Sequence, residues 1–317
     1  MSDSHSVRRP SAFAASTAYW IACVGLALVA FGALSPLGEL GLTAVYYALF
    51  VALPVLLWKR RHAPEAPALR LNPPAFRQVF WIAAAALLCA HAMTNLEVLW
   101  MGVLQRLGLN VFALEGVAVD TRQQLMQALL CTALIAPAAE ELLFRGMLLS
   151  TWEPRGRARA ILGTAALFAL MHAAPAALPV QWIMGMLLGA CACWSDTLYA
   201  SMIFHMLYNA ATLIEAHVAA GLESDPALVS RTHADILGTL GAAQCAALLA
   251  LALASLLIAL VVLAKKVRAP QAEDEPAPQA QPMGAFSASD AVILTSGALT
   301  CVCLTAVNVV NMLGGWG

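Results

Sequence analysis

The sequence predicts an all-α, polytopic membrane protein with about eight core transmembrane helices and one additional C-terminal transmembrane helix. Three observations carry that prediction. Of 317 residues, 61% are hydrophobic and only 11% charged, whereas a soluble domain of this length carries about 25% charged residues. The apolar residues gather into runs long enough to cross a bilayer, for which roughly 20 residues suffice. The basic residues gather into clusters between those runs, where the positive-inside rule uses them to set orientation.

A short polar arm with Arg8 and Arg9 precedes the first run, about Phe13 to Leu34, which is too long for a signal-peptide core. A second, about Leu42 to Trp58, stops at Lys59-Arg60-Arg61-His62, and a proline-rich basic loop follows to Pro74. The third, about Val79 to Leu104, holds His91, Asn95 and Glu97, read as interhelical hydrogen bonding or proximity to the outer interface. After a polar loop over 105–123, a fourth apolar run spans about Gln124 to Leu149 and ends at the basic stretch Arg155–Arg159. A short fifth helix is expected over about Ala160 to Ala174, broken by Pro175 and Pro179, and a sixth over Val180 to Trp194. The tight turn Ser195-Asp196-Thr197 offers a cap to a seventh helix reaching about Ala219. A polar loop over 221–235 leads to an eighth run, Ile236 to Ala264, closed by Lys265-Lys266-Val267-Arg268. Residues 269–288 have the proline-rich polar composition of a disordered linker, and a ninth run spans about Ala291 to Leu313. If nine spans alternate, all four basic clusters fall on one side, so the N-terminus is expected in the cytoplasm of a cell (inner) membrane.

The domain organisation follows: N-terminal helices over 1–119, a core over 120–219, the eighth helix over 220–268, the linker over 269–288 and the last helix over 289–317. The net charge of −1 excludes nothing, since distribution matters more than sum in a membrane protein. All eight cysteines lie in apolar segments, and the two C-x-C pairs point to different helix faces. They read as small packing residues rather than a disulfide framework or metal pair.

The chemistry concentrates in the fourth run, at Ala136-Pro137-Ala138-Ala139-Glu140-Glu141-Leu142-Leu143-Phe144-Arg145-Gly146. Each charge near a bilayer centre costs about 2.5–3.5 kcal/mol, so three together need partners or a watery cavity. Glu141 and Arg145, at i and i+4, share a face and can pair, while Glu140 is rotated about 100° away and left free. Further on, Phe168 and His172 share one helix face, and His205 and Asn209 another. At 1.5 Å per residue, Glu140 lies roughly 15–18 Å and His205 roughly 12 Å from the cytoplasmic ends of their helices. A tilted fifth helix brings His172 level with them.

These residues resemble the CAAX protease and bacteriocin-processing (CPBP, or Abi) family of intramembrane proteases, whose best-known member is the type II CAAX prenyl endopeptidase. The resemblance rests on E-E-x-x-x-R at Glu140 to Arg145, F-x-x-x-H at Phe168 to His172 and H-x-x-x-N at His205 to Asn209, in the family's order. Gly185-Met186-Leu187-Leu188-Gly189 is similar to its glycine-spaced helix, and the matching region covers about residues 120–215. The resemblance implies an intramembrane endopeptidase in which Glu140 and His172 polarise a water. It implies that His205 and Asn209 hold the oxyanion, with Glu141, Arg145 and Phe168 as structural support. No cofactor is favoured, since Glu140 can serve as a general base without one. Zinc held by Glu140, His172 and His205 is the alternative, because those side chains satisfy its ligand preferences. The expected substrate is a membrane-embedded or lipid-anchored peptide, with no nucleic-acid partner, and the alanine-rich character reads as bacterial. A transporter or proton relay built on the same buried residues, and a catalytically silent scaffold, are the readings from other classes.

Overall fold

A computed structural model describes residues 11–33, 37–62, 69–111, 117–223, 237, 240–269 and 287–314. Among them there are nine long helices and no strand. Helix α1 is Ala12–Ala30, opened by Ser11, whose hydroxyl accepts from the Ala14 amide at 3.1 Å. Helix α2 covers 38–62, α-helical over Gly38–Val45 and Leu53–His62 and widened into a π turn over Tyr46–Ala52. Helix α3 is Phe76–Arg106. Helix α4 is Arg122–Arg155, α5 Arg157–Met171, α6 Leu178–Ser195 and α7 Leu198–Glu223. Helix α8 is Gly241–Val267, and α9 is Ala288–Gly314.

The protein is a polytopic membrane protein, and each expected helix forms. Seven of the nine are long and apolar enough to cross a membrane by length and composition alone. The other two are α5 and α7, which carry the second and third motifs. Fifteen residues give α5 about 22 Å, short of the roughly 30 Å of hydrocarbon. Helix α7 has the length, but Asn209, Glu215 and His217 lower its hydropathy. The Arg8/Arg9 arm, most of the 221–235 loop and nearly all of the expected linker lie outside the described residues.

Helix α4 changes gauge along its length: α over Arg122–Ala128, π over Leu129–Ile135, α over Ala136–Glu141, then π over Leu142–Leu149. Pro137 gives a reason for the first change. It has no N–H to offer the carbonyl of Ala133, and a widened register lets upstream carbonyls find other donors. The Glu-Glu pair therefore sits on one short α-helical piece between two π stretches. Around it, Leu143, Phe144, Met147 and Leu148 are wholly buried.

Neighbouring helices close on α4 by aromatic and glycine contacts. Tyr19 of α1 packs edge-on against Phe144 at 6.1 Å, and Phe144 against Phe168 of α5 at 5.2 Å. A β-carbon on Gly185 of α6 would lie 2.9 Å from the Ala165 backbone, so only glycine admits this approach of α5. Helix α8 lies along α3, and α9 along α1. Cys23 and Cys301 meet across the α1–α9 seam with sulfurs 3.4 Å apart, and all eight cysteines are free thiols.

Loop contacts define two ends of the bundle. At one, Arg70 pairs with Glu153 and, at 3.0 Å, with Asp196, while the Ala269 amide donates to the Trp194 carbonyl at 2.7 Å. The clusters Lys59–Arg61, Arg155–Arg159 and Lys265–Arg268 belong to this end. At the other end, Trp100 of α3 donates to the Pro175 carbonyl at 3.0 Å and Asn308 of α9 to the Ala173 carbonyl at 2.8 Å.

Candidate active site

The two adjacent glutamates are both buried, Glu140 at 3% and Glu141 at 0% exposure, and they have different partners. Arg145 Nη1 donates to Glu141 Oε1 at 2.6 Å, and its Nη2 to the Gly185 carbonyl at 3.0 Å. The guanidinium also lies over the Phe168 ring, 4.7 Å from its centroid. The wheel argument for a Glu141–Arg145 pair thus describes the contact that forms. Glu140 instead accepts a hydrogen bond from the hydroxyl of Tyr47 on α2, at 2.9 Å.

His205, 2% exposed, stands between the two acids. Its Nδ1 faces Glu141 Oε1 at 3.1 Å, and its Nε2 faces Glu140 Oε2 at 3.9 Å. A carboxylate can only accept, so Nδ1 carries the proton of the shorter contact. The longer one is beyond hydrogen-bond reach. Glu141 therefore does more than pair with Arg145, since the same oxygen also orients His205.

His172 is the residue that closes α5, one position beyond Met171, rather than lying inside a helix that runs to Ala174. Ala173 takes φ 50°, which ends the helix, and Pro175 disfavours a helical Ala174. The His172 Nδ1 donates to the Phe168 carbonyl at 2.8 Å, leaving the Nε2 lone pair available. Phe168 links the two histidines: its ring centroid is 4.7 Å from that of His172 and 5.7 Å from that of His205. Asn209, one turn after His205, donates through Nδ2 to the Thr132 carbonyl in the first π stretch of α4, at 2.8 Å. That amide nitrogen keeps a second N–H.

Residues 122–211 match the family model Rce1-like, described as type II CAAX prenyl endopeptidase Rce1-like. The match bears out the resemblance to the CAAX protease family and supports an intramembrane CAAX-type endopeptidase in general. The Rce1-like segment takes in Glu140, Glu141, Arg145, Phe168, His172, His205 and Asn209, under a third of the chain in all. No curated protein and no solved structure matches the chain.

Tyr47 lies outside the Rce1-like segment, and sequence reasoning missed it. The Tyr46-Tyr47 pair inside an apolar run was its one signal, since a buried tyrosine hydroxyl usually needs a partner. The pair His91/Asn95 closes on itself: Asn95 Nδ2 donates to the His91 carbonyl at 2.9 Å within α3, not between helices. The interhelical bond there comes from Thr94, whose hydroxyl donates to Glu215 of α7 at 3.1 Å. As to zinc, no three His, Cys, Asp or Glu side chains among the described residues converge closely enough to hold a metal ion. Glu140, His172 and His205 in this arrangement do not form a ligand set.

Proposed function

We propose that the protein is an intramembrane endopeptidase that hydrolyses a peptide bond in a membrane-embedded or lipid-anchored substrate by metal-free, glutamate-based chemistry. The observation that carries this reading is the unequal partnering of two adjacent buried carboxylates. Arg145 neutralises Glu141 at 2.6 Å, whereas Glu140 accepts from a neutral phenol on one oxygen and has His205 Nε2 beyond hydrogen-bond reach, at 3.9 Å, on the other, so Glu140 is the one able to take a proton.

In this reading Glu140 and His172 Nε2 polarise a water, which attacks the scissile carbonyl carbon as its proton passes to Glu140. The carbonyl oxygen becomes an oxyanion. His205 Nε2–H and the free N–H of Asn209 donate to it, in a site sealed enough for such donors to count. Because Nδ1 is already committed to Glu141, donation from Nε2 uses the imidazolium form of His205. The buried set then carries two negative charges, on Glu140 and Glu141, and two positive, on Arg145 and His205, which relieves the cost of burial. As the C–N bond breaks, the proton held by Glu140 goes to the departing amine nitrogen. The acid and amine products leave, and the ionised Glu140 is restored.

The family name speaks of prenylated CAAX substrates. A lipid-anchored C-terminal peptide is accordingly the first substrate class to offer, with an unmodified transmembrane segment as the second. The test uses purified protein in liposomes with a fluorogenic peptide of each kind, comparing wild type with Glu140→Gln. Cleavage by wild type and loss of more than about 99% in the variant is expected for removal of a general base. Equal cleavage by both would overturn the assignment of Glu140. Comparative membrane proteomics of cells carrying either form would identify natural peptide termini.

A further inference from the structure

Three facts meet at the turn that follows His172. Ala173 holds a left-handed backbone, φ 50°, which a residue with a β-carbon adopts only when its surroundings insist. Its carbonyl accepts from Asn308 Nδ2 at 2.8 Å, and the Pro175 carbonyl two residues on accepts from Trp100 Nε1 at 3.0 Å. Asn308 and Trp100 lie on α9 and α3, both outside the Rce1-like segment. We propose that Asn308 is a positioning residue for His172: α9 latches the Ala173 turn and so fixes the imidazole at the end of α5, beside Phe168.

The latch is built on a firm base. Gly297 brings α9 so close to α1 that a β-carbon there would lie 3.3 Å from the Trp20 backbone. Four residues on, Cys301 touches Cys23. The hydroxyl of Tyr19, beside the same seam, donates to the Leu167 carbonyl of α5 at 3.3 Å, one residue before Phe168. Helix α9 is therefore registered against α5 at two levels, along the seam and at the turn. At the turn, the Met312 carbonyl also accepts from the Asn110 amide at 2.9 Å, which ties α9 to the chain beyond α3. Without the Asn308 amide, the Ala173 carbonyl loses its donor and φ is free to relax to negative values. Such a relaxation re-aims the His172 ring through the backbone it shares.

The inference rests on His172 acting in the proposed hydrolysis, so its test has a readout independent of cleavage. Asn308→Ala, Asn308→Gln and the double variant Asn308→Ala/Ala173→Gly are compared with wild type. Thr305→Ala serves as control, one turn earlier on α9, because that hydroxyl donates to the Cys301 carbonyl within its own helix. Each is assayed for kcat, KM and melting temperature, and for the rate at which diethyl pyrocarbonate modifies His172, read by mass spectrometry. Asn308→Ala should lower kcat by about tenfold to a hundredfold, the penalty of a small misplacement, with KM and melting temperature little changed. It should also change the His172 modification rate several-fold. Asn308→Gln, which keeps an amide donor, should lose less. Glycine at 173 takes the left-handed turn unaided, so the double variant should recover at least about threefold. Wild-type kcat and wild-type labelling in Asn308→Ala would overturn the latch, as would a fall in activity matched by Thr305→Ala. If Glu140→Gln proves active while Asn308→Ala still alters His172 labelling, the hydrolysis reading fails and the latch stands.

Discussion

Exchanging either glutamate for glutamine separates a chemical role from an electrostatic one. In Glu141→Gln, Arg145 keeps the Gly185 carbonyl and the Phe168 ring but loses its counter-ion at 2.6 Å, with both side chains essentially unexposed. Charge centres roughly 4 Å apart at an effective dielectric near 20 attract by about 4 kcal/mol, and stranding one buried partner costs about 3–5 kcal/mol. The expected result is a melting temperature in detergent lower by on the order of 10 °C, together with poor yield. Because Glu141 also orients His205, the folded fraction of Glu141→Gln should lose activity as well, by about tenfold. Glu140→Gln removes no ion pair with Arg145 and should melt within about 3 °C of wild type while losing cleavage altogether. The double variant Glu141→Gln/Arg145→Gln should regain part of the lost stability, since the stranded charge goes with its partner. The reasoning is refuted if Glu141→Gln is stable but inactive while Glu140→Gln still cleaves. It is refuted equally if the double variant is less stable than Glu141→Gln alone.

Three further outcomes are expected. Tyr47→Phe deletes one charge-assisted hydrogen bond to Glu140, worth about 1.5–3 kcal/mol, and should lower kcat by about tenfold to a hundredfold while circular dichroism stays unchanged; unaltered kcat would remove Tyr47 from the site. Purified protein should contain no stoichiometric zinc and should keep cleaving after strong chelation and dialysis, whereas activity lost to chelator and restored by zinc alone would reverse the metal-free proposal. Reporter fusions at 65, 115, 228 and 275 should read inside, outside, outside and inside, the orientation proposed from the basic clusters, and any other pattern would mean a miscounted span.

Helix positions and the Glu141–Arg145 pair were legible because they depend on residues close in sequence. Apolar runs and their basic stops mark helix ends to within a few residues, and i,i+4 spacing brings Arg145 under Glu141. What stayed hidden depends on how one helix registers against another. Nothing local to Tyr47 says that its hydroxyl meets Glu140, and nothing near Asn308 says that it reaches Ala173. The π stretches of α4 left only Pro137 as a trace, because a widened turn does not disturb an all-apolar pattern. Helix α5 ends three residues before the Ala174 that the sequence predicts, since both Ala173 and Ala174 favour helix intrinsically. The left-handed turn there is imposed by partners from α3 and α9.

The seam between α1 and α9 sets a clock on biogenesis. Tyr19, Trp20 and Cys23 face a helix that begins at residue 288, with seven helices synthesised between the two. At roughly 5–20 residues per second, α1 waits in the membrane for a time on the order of tens of seconds before its partner emerges. Until α9 emerges the turn after His172 has no Asn308 to hold it, even once every residue from Glu140 to Asn209 has been made. A chain made as far as α8 thus carries Glu140, His172, His205 and Asn209 with the contact from Asn308 to the Ala173 carbonyl still to form. On the proposed latch, docking of α9 against α1 is then the last step in ordering the turn beside His172.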